Sequence, residues 1–564
     1  MKKPLAVRWP RTPFLLLAAL CVLGGLSSCR ARVEKKDTLR LSVVRAPGSL
    51  IDREGLACGG PALHSLVQET LLDYGENDQE PAPRLARRWE ADDDRMTCSF
   101  LLDEMAQWSD GTPLTAADVA FTFQAVLDPS NRSFDGARAL LGAVDWYRAE
   151  DAHRFRIRMK HPHYANLMKA GSVAIFPRHV YGKAKGAFTG EANAPLVGSG
   201  PYVLVTNEGS GWILRKDGDY WAQSNNRVPH LKDFYVFDRL VIRSAKDDSH
   251  AADLFRKGEL DLLEFSGKPF ERLEKAKAWT WTNTNVVRLE REAPRLGCWD
   301  GVALNLRKGP LRDLHFRKAV QLLLHRERMA AKLYRNRFEP ASGPLAGLAE
   351  YPSAAVPVAY DPDGARRLLA ALGYTKTNKG VLERELLERD GKRTMERASV
   401  ELLLESDGEN RWATLFREDA LKAGVEIRLK TLDWAACRKR LEEGKFEACH
   451  FVWEGGLLPQ PGLLFCGPGA RAAGPFNFGG LDDFEVNRLV REGEECANAE
   501  VRRAIYRDLE KRILEIQPVL FLLTPRRQVL AYYKQRLAPA DPPFVKEFGY
   551  GVQIPFWNRW TPVP

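Results

Sequence analysis

Apolar residues recur along this chain at two spacings, one typical of strands and one typical of helices. Alternation at Thr38–Val44 predicts a half-buried strand, and alternation on both sides of the charged run 92–95 predicts a hairpin over 89–102. Helical spacing predicts a helix over 64–74. Further strands are expected at 202–205, 212–214, 234–237, 302–306 and 519–523, and further helices at 251–257, 313–334, 361–372 and 499–516.

Between residues 400 and 453 the two spacings alternate. Strands are expected at 400–404, 425–429 and 446–453, with helices at 410–423 and 434–443 between them. Such strand–helix–strand connections are right-handed and predict a parallel sheet. No repeat of 20–50 residues indicates a solenoid. The mixture along the chain therefore predicts an α/β protein with several lobes.

The first 28 residues are predicted to be a targeting segment. Four basic residues precede an apolar run of thirteen residues at 14–26, which is too short to span a bilayer by itself. The segment ends in Leu26-Ser27-Ser28-Cys29, which resembles a bacterial lipobox. We expect Cys29 to carry a lipid and to become the first residue after cleavage. An ordinary secretory signal, with Cys29 merely nearby, is the alternative.

Composition and charge narrow the class of protein. With 45% apolar and 28% charged residues, the 564-residue chain is not a disordered, collagen-like or small disulfide-rich protein. Removal of the targeting segment leaves 80 basic and 74 acidic residues, a net charge of +6. No basic run is long enough to predict an arm that binds nucleic acid.

Nine cysteines are present, of which Cys21 lies in the targeting segment and Cys29 at the expected anchor. Seven remain, so at least one is unpaired or pairs between chains. An oxidising envelope permits disulfides. Cys437 with Cys449, and Cys466 with Cys496, are the candidates close in sequence, and the sequence leaves the connectivity open.

A turn and a helix start are predicted at 108–119. Asp110-Gly111 and Thr112-Pro113 are turn dipeptides, and Thr115 followed by Asp118 is close to a capping box. This stretch is similar to the DGTPLTAxDV signature of the family 5 extracellular solute-binding proteins, the peptide and nickel receptors of ABC importers. Other motifs of that family occur in its order, at 69–71, 83–89, 176–179, 197–202, 214–221, 255–262, 316–327 and 360–374.

The resemblance implies a two-lobed periplasmic-binding-protein fold of type II, with an extra subdomain on the first lobe. By that pattern, residues 29–35 are a lipidated tether and 61–194 the extra subdomain. Lobe one combines 36–60, 195–285 and 530–564, and lobe two is 290–522. Chain crossings near Val287 and near Thr524 would form a hinge about which the lobes close on a ligand.

The resemblance also indicates a ligand site. Receptors for many peptides can bind the ligand's main chain through strand-like hydrogen bonds and leave roomy side-chain pockets. Trp453 resembles a Trp in the family's binding strand. The Asp that holds a peptide ammonium group in relatives is missing here, and Gly456 or Leu457 stands in its place. Glu454 is the nearest carboxylate and the candidate substitute.

Ser199 and Gly200 complete the candidate site, because the family places main chain near them close to the ligand. We expect a lipid-anchored receptor on the periplasmic side of a membrane or the outer face of the plasma membrane. It would capture peptides, oligopeptides above all, and deliver them to an ABC permease complex. We expect a monomer that binds no nucleic acid.

A binder of a nickel complex or haem, or a sensor without a transport role, remains an alternative. His161 with His163, and Cys449 with His450, do not make a complete ligand set, so we expect neither a metal nor a cofactor. The chain lacks GxSxG, HExxH and GxxxxGK[ST] motifs, so we expect no enzyme.

Overall fold

The structure is a computed structural model. It describes residues 37–44, 66–74, 80–131, 134–182, 196–208, 211–225, 236–265, 285–293, 297–387, 391–406, 410–453, 455, 458–470, 473–539 and 560–562. Strands and helices alternate through these ranges, as the two spacings predict. None of the helices in them combines the length and apolar character that a membrane span needs.

The strands are β1 (Thr38–Val44), β2 (Leu72–Tyr74), β3 (Pro81–Pro83), β4 (Ala86–Ala91), β5 (Thr97–Leu102), β6 (Val144–Ala149), β7 (Arg154–Met159), β8 (Tyr202–Glu208), β9 (Gly211–Lys216), β10 (Arg239–Ala245), β11 (Leu262–Phe265), β12 (Val286–Glu292), β13 (Trp299–Leu304), β14 (Phe338–Pro340), β15 (Lys376–Asn378), β16 (Val381–Leu387), β17 (Arg393–Arg397), β18 (Ser399–Glu405), β19 (Glu426–Leu432), β20 (Ala448–Trp453), β21 (Val519–Phe521), β22 (Leu523–Pro525), β23 (Arg527–Tyr533), β24 (Leu537–Pro539) and β25 (Trp560–Pro562).

The helices are α1 (Ala116–Leu127), α2 (Asp135–Leu141), α3 (Asn166–Gly171), α4 (Arg178–Tyr181), α5 (Asp248–Arg256), α6 (Leu314–Leu322), α7 (Arg326–Tyr334), α8 (Pro362–Ala371), α9 (Arg411–Lys422), α10 (Trp434–Glu442), α11 (Pro461–Phe465), α12 (Phe484–Glu495) and α13 (Ala499–Ile516), with a 3₁₀ turn at Gly309–Arg312.

Two four-stranded sheets share one core. The first-lobe sheet has the order β1-β10-β9-β8, and the subdomain sheet has the order β4-β5-β7-β6. In β1, Leu39 and Leu41 are buried, while Arg40 between them pairs with Asp261 at 3.0 Å. The same buried cluster contains Leu39 from the first-lobe sheet and Phe100 and Phe155 from the subdomain sheet. This continuity joins the two sheets into one packed unit.

The second-lobe sheet has the order β19-β18-β20-β13-β21. Strands β18, β19 and β20 run in parallel, as predicted from residues 400–453, whereas β13 is antiparallel to both β20 and β21. Its buried clusters contain residues from 299 onwards and are separate from the cluster of the first-lobe and subdomain sheets.

A linking sheet of order β11-β23-β12 contributes Leu262 and Leu530 to the buried cluster of the first-lobe and subdomain sheets. Strands β12 and β23 pair over seven positions, from Val286 opposite Tyr533 to Glu292 opposite Arg527. From β12 the chain continues towards β13, and β22 leads into β23. The lobe boundaries given above stay predictions.

Three predicted elements differ in part from the structure. The helix expected at 313–334 is two helices, α6 and α7, because Arg326 turns inward and donates to the carbonyls of Ala341 and Phe521. The helix expected at 64–74 falls partly outside the described residues; Leu66 and Val67 are helical, but the predicted end is β2, paired with β3. The strand expected at 234–237 likewise lies partly outside, and Val236 and Phe237 precede β10 without joining it.

The strand expected at 519–523 is divided. β21 pairs with β13, whereas β22 turns away and pairs with β14. Apolar spacing continues through both segments, so the sequence gives no sign of the change of partner. No disulfide links the six described cysteines, Cys98, Cys298, Cys437, Cys449, Cys466 and Cys496.

Candidate functional site

The strand that carries Trp453 lies inside the second-lobe sheet. Strand β20 pairs with β13 along its whole length, which sets Trp453 opposite the buried Trp299. The Trp453 ring meets the ring of Phe476 edge to face, with 6.1 Å between centroids. Trp453 is therefore held on one side by packing and stays partly exposed on the other.

The backbone of β20 has an open edge beside Trp453. The parallel neighbour β18 pairs with β20 only at Ala448 and Cys449. Within the described residues, positions 451–453 are thus paired on one side, by β13. The side chain of Val452 is 54% exposed. An extended segment placed along this edge would meet main-chain donors and acceptors already in strand geometry.

A pocket opens next to Trp453. Its walls come from the loop 344–348, the segment 458–465 and one face of α13, and most of them are apolar. The cavity itself is small, about 20 Å³, which is room for roughly one water molecule. The pocket and the open edge of β20 therefore meet at one aromatic side chain.

A single carboxyl lies in this apolar lining. Glu510 on α13 is 2% exposed, and its Oε1 has no hydrogen-bond partner among the described residues. Burial raises the pKa of Glu510, although the Ser353 hydroxyl and backbone N–H groups, including that of Leu345, act in the opposite direction. The carboxyl thus holds α13 against the loop 344–355.

Residues just after β7 reach across from the subdomain to the second lobe. The N–H of Tyr164 donates to the carbonyl of Glu494 at 2.8 Å, and its hydroxyl donates to the carbonyl of Pro459 at 3.3 Å. The guanidinium carbon of Arg502 lies 3.8 Å from the centroid of the Tyr164 ring. We call Tyr164 with these three partners the Tyr164 contact. It lies beside the pocket, since Pro459 also lines it.

Buried titratable groups surround the Tyr164 contact. Nδ1 of His163 accepts from the N–H of Ala165 at 2.9 Å, so the neutral ring carries its proton on Nε2, 4.0 Å from Oε1 of Glu494. Burial, with the positive charges of Lys169 and Arg502, lowers the pKa of His163 well below its ordinary value. Burial also lowers the pKa of Lys169, and Glu494 partly offsets this.

The other predicted site residues lie elsewhere or outside the described residues. Ser199 is buried, its hydroxyl accepts from the N–H of Glu69 at 3.1 Å, and its carbonyl accepts from the Trp221 indole. The N–H of Gly200 donates to the carbonyl of Val67 at 2.8 Å. Both residues thus secure the junction of the first-lobe and subdomain sheets. Glu454, Gly456 and Cys29 lie outside the described residues.

The signature stretch 108–119 is a structural element. The Asp118 carboxylate accepts from the Thr115 N–H at 2.9 Å, as expected for a capping box. Its other oxygen accepts from the N–H of Arg178 at 2.9 Å, which fixes the start of α4. Across the described ranges, no three His, Cys, Asp or Glu side chains come together to hold a metal ion.

Sequence reasoning did not identify Tyr164, Arg502 or Glu510. Glu510 did carry a usable signal, since it interrupts the apolar face that Tyr506, Leu509 and Ile513 form on α13, and a carboxyl on such a face is a candidate for burial. Tyr164 and Arg502 carry no such signal because they are far apart along the chain.

Comparisons with known proteins assign the chain to a family. Residues 80–465 match the model "Bacterial extracellular solute-binding proteins, family 5 Middle". Protein XP55 of Streptomyces lividans is 26% identical, over 90% of this chain and 88% of its own.

Solved structures agree in fold. NikZ of Campylobacter jejuni in complex with Ni(L-His) has a TM-score of 0.73 at 21% identity, over 93% of this chain and 99% of its own. The oligopeptide-binding protein AppA of Bacillus subtilis, in complex with a nonapeptide, has a TM-score of 0.73 at 18% identity, over 94% and 99%.

The match over more than half of the chain means that this protein belongs to the family 5 extracellular solute-binding proteins. It has the α/β two-lobed fold of periplasmic binding proteins, as predicted. The family consists of periplasmic or extracellular substrate-binding proteins of ABC importers rather than enzymes, and its members include receptors for peptides and for nickel complexes.

Proposed function

We propose that this protein is a lipid-anchored receptor that captures peptides, oligopeptides above all, between its lobes and delivers them to an ABC permease. The observation that carries the proposal is the open edge of β20 beside Trp453. A peptide backbone is the ligand that can use such an edge repeatedly, with one hydrogen-bonding unit per residue. The mostly apolar residues around the adjoining pocket border this edge.

Two relatives bear on the choice of ligand. AppA was solved with a nonapeptide and NikZ with Ni(L-His), so the shared fold accommodates both kinds of ligand. An open strand edge favours the peptide, because a compact chelate does not need aligned main-chain groups. Glu454, next to Trp453 in the chain, would be the carboxylate that meets a peptide ammonium group.

The test is native mass spectrometry of residues 30–564, first as purified and then with a pool of peptides. We expect retained or captured masses that fragment as peptides. Acetylation of the peptide N-terminus should weaken binding if Glu454 pairs with the ammonium group, and Glu454→Gln should remove this difference. A protein that ignores every peptide, or that retains a metal chelate or haem, would contradict the proposal.

Trp453→Ala sharpens this test. We expect an affinity for the captured peptide at least about tenfold lower, because aromatic anchors dominate such sites. Isothermal titration calorimetry would measure it. Trp434→Ala is the matched control, since Trp434 lies on α10 with 41% of its surface exposed. An equal loss in both variants would count against a ligand contact by Trp453.

The lipid anchor is tested separately in cells. We expect the full chain to incorporate a labelled fatty acid and to fractionate with membranes. Cys29→Ala should abolish both the labelling and the membrane association. The purified variant should bind peptides as residues 30–564 do. Labelling that persists in Cys29→Ala would exclude Cys29 as the attachment site.

A further inference from the structure

Two cysteines meet on one face of the second-lobe sheet. Successive strand residues point to opposite faces. In β18, Leu402 and Leu404 face one buried cluster, whereas Leu403 faces another. Cys449 of β20 stands beside Leu403 in the register and shares its cluster. The side of α10 that covers this face presents Cys437 and, one turn later, Leu441.

The sulfur positions follow from these contacts. Sγ of Cys437 lies 3.8 Å from the carbonyl oxygen of Leu404 and 4.0 Å from that of Leu432. It is thus at the strand next to that of Cys449, whose Sγ lies 3.5 Å from the carbonyl oxygen of His450, and both cysteines belong to the same buried cluster. Both side chains are 1% exposed. The space between α10 and the sheet therefore contains two adjacent thiols enclosed by apolar side chains.

We propose that Cys437 and Cys449 form a disulfide when the protein folds in an oxidising cell envelope, joining α10 to β20. Strand β20 ends at Trp453, so this bond would fix the strand that carries the candidate ligand site. The inference concerns covalent structure and does not depend on which ligand binds.

The other pair suggested by sequence spacing does not share this arrangement. Cys466 is buried in the cluster beneath α12, and burial raises the pKa of its thiol to about 12. Cys496 follows α12 and its thiol donates to the carbonyl of Asn498 at 3.4 Å. Cys98 lies in the separate core of the first-lobe and subdomain sheets. These cysteines supply internal controls.

Oxidation of the two thiols to a disulfide needs an oxidant that accepts two electrons. An envelope thiol–disulfide oxidoreductase or oxidised glutathione, each with a disulfide of its own, is such an oxidant. Hydrogen bonding by the Cys449 side chain lowers the pKa of Cys437, and we therefore expect Cys437 to be the first nucleophile. Its thiolate attacks the oxidant's disulfide and expels one thiolate. Deprotonated Cys449 then attacks the sulfur of Cys437 in the mixed disulfide and expels the second. Two protons and two electrons leave the cysteines, and the oxidant's disulfide becomes two thiols.

The experiment compares the full chain exported to a bacterial envelope with the same chain made in a reducing cytoplasm. Free thiols are trapped with N-ethylmaleimide during denaturation, and a non-reducing digest is mapped by mass spectrometry. We expect one linked pair of peptides containing Cys437 and Cys449 in the exported protein, and alkylated Cys98 and Cys466. Free Cys437 and Cys449 in the exported protein, or a bond from either to another cysteine, would overturn the proposal.

Stability provides a second measurement. Dithiothreitol should lower the melting temperature of the exported protein by about 5 °C, because reduction releases a short closed loop in the unfolded chain. Cys437→Ser should melt at the lower temperature and show no further effect of dithiothreitol. The matched control Cys466→Ser should keep the effect. A wild-type protein that is insensitive to dithiothreitol would contradict the inference even if Cys437→Ser did not fold.

Discussion

The subdomain that contains β4 to β7 contacts its two neighbours in different ways. Against the first-lobe sheet it shares a continuous buried core, and the enclosed carboxylate of Glu69 accepts from both Arg84 and the Tyr220 hydroxyl. Against the second lobe it makes the Tyr164 contact, built from two hydrogen bonds and a stacked guanidinium. The first junction is a core, whereas the second is a smaller contact that combines these polar interactions with the partly buried side chains of Tyr164 and Leu458.

This difference has a mechanical consequence. Separating a shared core exposes apolar surface to water, which costs about 25 cal/mol of free energy for each Å² exposed. A polar contact instead exchanges its hydrogen bonds for bonds to water, with a net effect of about 1 kcal/mol each. We therefore expect the subdomain to move with the first lobe and to separate from the second lobe when the protein opens.

The largest effect is expected for Glu69→Ala. The substitution removes a carboxylate that accepts from the Tyr220 hydroxyl and pairs with Arg84. We expect a loss of about 3 kcal/mol in the free energy of unfolding, because removing one partner of a buried ion pair is strongly destabilising. Urea denaturation followed by circular dichroism measures it.

Glu104→Ala is the control for that substitution. Glu104 pairs with Arg87 at 2.8 Å, but 56% of its side chain is exposed. Exposed ion pairs contribute little to stability. If Glu69→Ala were no more destabilising than this control, the junction of the subdomain with the first-lobe sheet would not be the more rigid of the two.

An intermediate effect is expected for Tyr164→Ala. The loss of one side-chain hydrogen bond and of the stacking with Arg502 should weaken ligand affinity about tenfold while the unfolding free energy changes less than in Glu69→Ala. Tyr164→Phe keeps the ring and should lose about threefold. Calorimetry with a ligand retained by the wild type provides the measurement.

Arg503→Ala is the matched control for the Tyr164 contact. Arg503 neighbours Arg502 on α13 but pairs with Glu350 and Glu500 within the second lobe. Its replacement should leave affinity unchanged. Unchanged affinity in Tyr164→Ala as well would mean that the contact does not contribute to closure.

The smallest effect is a pH dependence. Burial at the contact lowers the pKa of His163, so the closed form binds fewer protons than an open form with an ordinary value near about 6.5. Closure is fully favoured above that value and weakens as the pH falls through it. We expect ligand affinity to fall between about pH 7 and about pH 5.

His163→Asn should flatten this profile, because the amide oxygen can still accept from Ala165 but does not titrate. Glu494, Lys169 and Arg502 remain around the substituted side chain. His179→Asn is the control, since His179 pairs with Asp110 within the subdomain. A profile that keeps its slope in His163→Asn would assign the titration to another group.

Much of the fold was predictable where the signal is local. The alternation over 400–453 predicted β18 to β20 with α9 and α10, and Thr115 with Asp118 predicted the start of α1. The strand leading to Trp453 was predicted in the same way. Each of these signals needs only a few consecutive residues, because side-chain spacing and helix capping are properties of a short segment.

The candidate site was only partly predictable. Trp453 lies where the pocket meets the open edge of β20, and Ser199 and Gly200 lie at the junction with the segment 66–69; the role of each in ligand binding stays a prediction. The break between α6 and α7 escaped detection because the apolar spacing runs through it, and buried Arg326 is bonded by carbonyls distant in sequence.

The sequence by itself determined the family, the alternating second-lobe strands and the strand of Trp453. Only the tertiary structure decided which of the two cysteine pairs meets, where Glu510 lies, and that Tyr164 reaches Arg502. The physical reason is the range of the interactions. Spacing and capping act between neighbours in the chain, whereas these contacts depend on how separate sheets and lobes pack together.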